Sequence, residues 1–239
     1  MVKTIFERTE KKYVITVSQK NELLSLISDK IKSDEYGESN VNSIYYDTDD
    51  YRLIRNSIEK PVYKEKLRLR SYSVPKGDST VFLELKKKYK GVVYKRRKTL
   101  KYDDAQKYLK SHILPDNSQI MREIDWTMNF YKTLKPKMFI GYDRLAYVGS
   151  EDENLRITFD FNLRFRTDNL SLDCGNYGEN IIGNNYFIME IKALNAMPLW
   201  LCFALDKLKI YPSSFSKYGT AYQIVTKRNS EQNGGISCA

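Results

Sequence analysis

The sequence predicts an α+β protein built on one large antiparallel β-sheet. Two observations predict it. Apolar and polar residues alternate with a period of two through eight separate segments, the mark of strands that bury one face and keep the other polar. Helical spacing is confined to five short stretches. Eight such strands make a sheet large enough to close on itself as a barrel. The 239 residues suffice for one large domain, and no repeat, low-complexity block or long linker divides them. We place that domain at residues 1–227 and read the polar end, RNSEQNGGISCA at 228–239, as a disordered tail.

In chain order, a strand at 8–16 opens the sheet. Ser18 then reads as the N-cap of an amphipathic helix, QKNELLSLISDKIKS. Strands follow at 42–47, 64–72, 81–88 and 92–99. Asp103–Lys110 gives a short helix. Ser118–Leu134 gives a longer one, with Ile120, Ile124, Met128 and Tyr131 near helical spacing. After a strand at 139–147 comes the clearest one, Leu155–Arg166. Its odd positions, from Leu155 to Phe165, are all apolar, and its even positions, from Arg156 to Arg166, are all polar. A strand at 186–192 completes the set. Pro198 is placed like an N1 proline opening LWLCFALDKLKI, and a last helix covers Phe215–Val225.

Composition narrows the chemistry. Lys and Arg number 40 against 30 Asp and Glu, a formal charge of +10, which calls for an anionic partner. The single histidine, His112, reads as a surface or cap residue, so histidine-based triads and His-rich metal sites are excluded. Cys174, Cys202 and Cys238 form neither a disulfide framework nor a CxxC metal pattern. Cys202 lies in an apolar run and reads as core. The opening MVKTIFERTEKK has no apolar signal core, and the longest strongly apolar stretch, Met197–Leu205, is too short to span a bilayer. The expected setting is the cytoplasm.

The polar strand faces are unusual. Lys64, Lys66, Arg68 and Arg70 share one face of a strand, a repulsive run of like charge. Nearby strands add Arg8, Lys12, Lys86, Lys88, Lys95, Arg97, Arg144, Arg156 and Lys192. Two arrangements satisfy this pattern. A conventional barrel packs its apolar faces inward; an inverted one turns the charges into its lumen and covers its outside with helices, which requires an anion, acidic partners and water inside. Three strands repeat a short motif: Glu10-x-Lys12, Glu84-x-Lys86 and Glu190-x-Lys192. Each sets a carboxylate beside an amine on one face. Such carboxylates either bridge to the cations or, with phosphate oxygens, hold a hard divalent ion. Asp160 shares the polar face with Arg156 and is expected to brace it. Tyr45 and Tyr142 read as packing residues.

Several segments resemble a known family. They are Arg8-Thr-Glu10-Lys11-Lys12-Tyr13, Lys66-Leu-Arg68-Leu-Arg70, Phe82-Leu-Glu84-Leu-Lys86 and Lys95-Arg96-Arg97. Further on, Gly141-Tyr142-Asp-Arg144, Leu155-Arg156-Ile-Thr-Phe-Asp160, Met189-Glu190-Ile-Lys192 and Phe215-Ser216-Lys217-Tyr218 continue the order. Over about residues 5–226 the chain is similar to the VTC (vacuolar transporter chaperone) domain. That domain is the polyphosphate polymerase branch of the triphosphate tunnel metalloenzymes, also called CYTH-like proteins. Arg8 stands where the wider superfamily has the first Glu of an ExExK strand, a departure similar to the polymerase branch and unlike the hydrolytic ones. The resemblance implies a closed eight-stranded antiparallel barrel with a polar, basic lumen and helices packed outside, and so favours the inverted arrangement. It implies transfer of the γ-phosphate of a nucleoside triphosphate to inorganic polyphosphate. Lys12, Arg68, Arg70, Lys86, Arg144, Arg156 and Lys192 would act catalytically. Arg8, Lys66, Lys95, Arg97, Ser216 and Lys217 would add phosphate contacts, and Glu190, with Glu10 and Glu84, would hold Mn²⁺ or Mg²⁺. Two other readings stay open: a triphosphatase on the same scaffold, using water as acceptor, and a non-catalytic polyphosphate or RNA binder. An RNA binder would show exposed aromatics interleaved with basic residues. No sequence-specific nucleic acid is expected.

Overall fold

A computed structural model of the chain describes residues 8–194 and 196–233. Among these residues are nine strands: β1 (Arg8–Thr16), β2 (Ile31–Asp47), β3 (Tyr63–Ser71), β4 (Thr80–Tyr89), β5 (Val92–Lys101), β6 (Lys135–Gly149), β7 (Arg156–Arg166), β8 (Glu179–Asn180) and β9 (Tyr186–Leu194). Six α-helices accompany them: α1 (Val17–Leu26), α2 (Arg52–Ile58), α3 (Tyr102–Ser111), α4 (Gln119–Tyr131), α5 (Leu199–Lys207) and α6 (Lys217–Asn233). The strands form one sheet in the order β1-β9-β7-β6-β2-β3-β4-β5, with β8 on β7. The β1–β9, β7–β9, β2–β3, β3–β4 and β4–β5 pairings are all antiparallel. β1 and β5 end the order, so among the described residues no hydrogen-bonded pairing closes the sheet into the expected barrel. No helix is long and apolar enough to cross a membrane.

All eight expected strands are present, and the differences lie at element ends. Thr16, not Ser18, caps α1: it accepts from Gln19 N–H at 3.2 Å while the Gln19 side chain accepts from Thr16 N–H at 3.1 Å, a reciprocal capping box. Expected helix residues from Ile31 onward belong to β2 instead. Ile31 joins the same core as Leu23 and Ile27, so its spacing satisfied both readings. Pro198 stands one place earlier than expected, as the N-cap of α5. α6 runs to Asn233, past the start of the expected tail; residues 234–239 lie outside the described ones. Helix α2 and strand β8 had no sequence signal. Cys202 is exposed rather than in the core, because α5 buries Leu201, Ala204 and Leu205 on its other side. His112 is, as expected, a cap: it ends α3 in the left-handed region at φ 57°.

The described residues divide into two compact units. The first takes the residues up to Asn40, Tyr142–Leu163 and Ile182–Ser216. The second takes Val41–Gly141, Arg164–Ile181 and the residues from Lys217 on. β2, β6 and β7 each give a segment to both. In the first unit, Tyr13 and Ile15 of β1, Ile157 and Phe159 of β7, and Met189 and Ile191 of β9 pack with α1 and α5 through Leu23, Ile27 and Leu201. A polar tie adds to this. Asp143 accepts from Asn40 at 2.6 Å and from Asn162, itself at φ 48° inside β7, at 2.9 Å.

In the second unit, Leu67 and Leu69 of β3 and Leu83 and Leu85 of β4 pack under α3 and α4 through Tyr108, Met121, Ile124 and Met128. The β4–β5 hairpin turns on Lys90 and Gly91, both at positive φ (46° and 86°), the two-residue turn whose twist suits a hairpin. In each unit, then, helices cover the apolar strand face. Strict alternation leaves the charged residues on the other face. We expect Leu83→Ala, which opens a cavity at a fully buried position, to lower unfolding stability by about 2–5 kcal/mol. Urea denaturation measures this, and a loss below about 0.5 kcal/mol would mean that this face is not packed.

Candidate functional site: two charged strand faces

The second unit holds a row of side chains across four strands. Register pairs Tyr45 of β2 with Arg68 of β3, Arg68 with Glu84 of β4, and Glu84 with Arg97 of β5. Glu84 is the hub, only 2% exposed. Its Oε2 accepts from Arg68 at 2.7–2.8 Å, with Arg70 at 3.8 Å. Its Oε1 meets Arg97 at 2.6 Å and Lys95 at 2.9 Å. One carboxylate thus organises four cations. Burial alone would raise its pKa, but Arg68, Arg70 and Lys95 outweigh burial and hold it well below the usual carboxylate range. Lys95 is held below the ordinary lysine value by burial and by Arg97 and Arg68, despite Glu84. The adjacent row is entirely basic, Lys66–Lys86–Lys95.

Behind this row stands a support that the sequence reading missed. The Tyr45 hydroxyl accepts from Arg68 at 2.9 Å, and its ring stacks on Tyr218 of α6 at 4.5 Å. Tyr218 donates to buried Asp47 at 2.9 Å. Asp47 also accepts the backbone N–H groups of Thr48, Leu53 and Ile54 at 2.8–3.0 Å, which fixes the start of α2. Tyr45 is therefore more than the packing residue expected. Only its alternation with Ser43 along β2 hinted at the charged face.

The first unit carries a second charged face. Register sets Lys12 of β1 opposite Glu190 of β9, and Glu10 opposite Lys192, so the signs alternate like a checkerboard. Lys12 Nζ lies 3.2 Å from Glu190 and 3.8 Å from Glu10; Lys192 Nζ lies 3.6 Å from Glu190 and 3.9 Å from Glu10. Arg156 of β7 continues the Glu10–Lys192 row. Asp160, fully buried, takes both forks of Arg144 at 2.6 and 2.8 Å. Asp160 thus braces Arg144, not Arg156 as expected; Arg144 is also 4.0 Å from Glu190 and lies against the Tyr142 ring. Burial would lower the Arg144 pKa, but Tyr142, Asp160 and Glu190 raise it well above its ordinary value. Arg156 is held instead by Asp34 at 2.7 Å, a partner 122 positions away that no local pattern marks.

The expected site residues therefore divide between the units. Arg68, Arg70, Lys95 and Arg97 gather on Glu84, with Lys66 and Lys86 beside them. Lys12, Lys192, Glu10, Glu190 and Arg144 gather on the other face, with Arg156 in line. Ser216 closes the first unit and Lys217 opens α6 in the second. The Arg8 side chain lies outside the described residues. Among the described residues no three His, Cys, Asp or Glu side chains are grouped as a metal would need. Glu10 and Glu190 do make a hard oxygen pair, loosely shared by two lysines, which fits an ion such as Mg²⁺ that takes one or two carboxylates and completes its shell with phosphate and water.

The family model for the VTC domain matches residues 7–226. The fold is similar to that of a candidate adenylate cyclase from Bacillus halodurans, at 15% identity and TM-score 0.51, covering 87% of this chain and 92% of that one. It is similar also to a candidate adenylyl cyclase from Hippeastrum with a dominant triphosphatase activity, at 16% identity and TM-score 0.51, covering 89% and 93%. No curated protein sequence matches the chain.

The cation row leaves a measurable mark on Tyr45. Burial opposes its ionisation, but Arg68, Lys66 and Arg70 outweigh burial and lower its pKa from 10.0 to about 8. Between those values the folded protein has released a proton that the unfolded chain retains. Stability from this group is therefore gained as pH rises through the window and lost as it falls through the lower value. We expect ultraviolet titration to show one tyrosine ionising near pH 8, absent in Tyr45→Phe. If no phenolate forms before the ordinary tyrosine range, the cation row does not act on Tyr45.

Proposed function

The chain belongs to the VTC-domain family, and on that premise we propose that it is a phosphotransferase of the polyphosphate polymerase type. The γ-phosphate of a nucleoside triphosphate would pass to the end of a polyphosphate chain, releasing the nucleoside diphosphate. The observation that carries this reading is the Glu84 hub. Phosphoryl transfer asks little covalent chemistry of a protein; it asks for positioning and for cancellation of charge on phosphate oxygens. Arg68 and Arg97 are held by one buried carboxylate, so their forks are oriented before any anion arrives. The lysine row beside them supplies point charges for further phosphates. We assign Glu84 to this bracing and not to the metal.

On the other face, Lys12, Lys192 and Arg144 would contact phosphate oxygens, and Arg156 would do so once drawn from Asp34. Glu190 and Glu10 would hold Mn²⁺ or Mg²⁺, which when bound offsets charge on the phosphate oxygens. A phosphate acceptor is already ionised and needs no strong general base, which suits faces without histidine.

The second reading is hydrolysis of inorganic or nucleoside triphosphate. The likeness to the Hippeastrum protein, with its triphosphatase activity, favours it. Incubation with ATP and Mn²⁺, followed by separate assays for long polyphosphate and free phosphate, decides between them. We expect polymer; free phosphate alone would replace the polymerase reading with the hydrolase one. Glu190→Gln keeps the side-chain size and removes the charge. We expect it to abolish turnover while leaving tripolyphosphate binding intact, and near wild-type activity with Mn²⁺ would refute the metal assignment. Arg70→Ala should instead weaken triphosphate binding by about tenfold or more, the loss of one charge-assisted contact of about 1.5–3 kcal/mol, as measured by calorimetry. Unchanged affinity would remove Arg70 from the site.

A further inference from the structure

The β4–β5 hairpin and the end of α4 carry a surface that the two charged faces do not use. From Lys87 to Tyr94 the tip reads KKYKGVVY, three lysines with no acidic residue, the flanking Lys86, Lys95 and Arg97 belonging to the Glu84 face. At the turn, Tyr89 and Val92 face each other, and Lys87 faces Tyr94. Helix α4 covers the hairpin as far as Arg96, which pairs with Glu123 at 2.7 Å. Beyond that, Val92, Val93 and Tyr94 are exposed, Val92 by 54%. Trp126 and Phe130, one turn apart on α4, stack at 5.2 Å and are 57% and 55% exposed. The Lys87 ammonium lies 5.6 Å over Trp126, and Lys90 lies 5.5 Å over Tyr89. Carboxylates offset the hairpin only away from its tip: Glu84 takes Lys95 and Arg97, Glu123 takes Arg96 and Asp116 takes Lys98, while buried Glu65 accepts the hydroxyls of Tyr63 and Tyr131 at 3.0 and 2.6 Å.

We propose that this hairpin tip and the Trp126–Phe130 ridge dock the protein on the surface of an anionic lipid bilayer. Tryptophan and tyrosine, apolar in body and polar at one end, favour the bilayer interface. Lys87, Lys88 and Lys90 beside these rings are drawn to anionic headgroups. Valine at the tip distinguishes a bilayer from a nucleic acid: aliphatic side chains gain from hydrocarbon and offer a base nothing to stack on. Trp126 points the same way, since Phe130 and Lys87 already lie against its ring.

The test uses the full chain with Trp200→Phe, which leaves Trp126 as the one tryptophan of the original two. It is mixed with vesicles of phosphatidylcholine alone or with phosphatidylserine added. We expect co-sedimentation only with the anionic vesicles, weakening as salt rises, and quenching of Trp126 by brominated lipid. Val92→Ser/Val93→Ser keeps the charge and should weaken vesicle partitioning by about tenfold. Its stabilisation by tripolyphosphate should be unchanged, which shows that the variant is folded. Failure to bind anionic vesicles at low salt would overturn the proposal. So would binding that leaves Trp126 unquenched or that the double variant does not weaken, because charge elsewhere would then be responsible. Stronger quenching of Trp126 by single-stranded RNA than by vesicles would assign the surface to nucleic acid instead.

Discussion

The burial of one carboxylate, Glu84, is the constraint on which the second unit's charged face depends. Four cations on neighbouring strands repel one another, and a sheet that gathers them must offset that repulsion from within. Placing the single acid at the middle of a cross-strand row does so with the least negative charge. Both carboxylate oxygens are used, at 2.6–2.9 Å, so Arg68 and Arg97 are oriented rather than neutralised. A second acid in the row would give better local balance and a poorer grip on an anion. Burying such a group is costly unless it is fully paired, and here the pairing is what the face is made of.

The two faces solve the same problem differently. Around Glu84 the contacts are short and forked, and the arginines are fixed. Around Glu10 and Glu190 the four lysine contacts span 3.2–3.9 Å, and Arg144 stands 4.0 Å from Glu190. Lysine ammonium groups on flexible stems can give way to another cation more readily than a bidentate arginine can. The first unit's acids are thus exchangeable where the second unit's acid is committed, although all three occur in the same Glu-x-Lys motif.

That difference marks the limit of what the sequence could reveal. Period-two alternation located every major strand, because one residue of slippage would expose a whole apolar face. It also placed the cations on common faces. What it could not reveal was which partner each charge meets. Asp34 reaches Arg156 from 122 positions away, and Asp160 chose Arg144 over the nearer Arg156. Helix α2 has seven residues and no side-chain cap of its own; it is fixed by Asp47 from the preceding strand. Cys202 looked like core because its neighbours are apolar, yet a helix one turn wide buries only one side of such a run.

The stacking of Tyr218 under Tyr45 has a consequence for the order in which the protein can become competent. Tyr218 follows Tyr45 by 173 positions along the chain, so Tyr45, Arg68 and Glu84 are synthesised before it. During translation the hairpins of the second unit can pair as soon as they emerge. The ring that supports Tyr45, and the hydroxyl that completes Asp47, arrive only with α6. Until then a row of cations stands on the nascent chain without its backing, beside a ribosome rich in phosphate. Docking of α6 thus turns a sticky basic hairpin into an organised face.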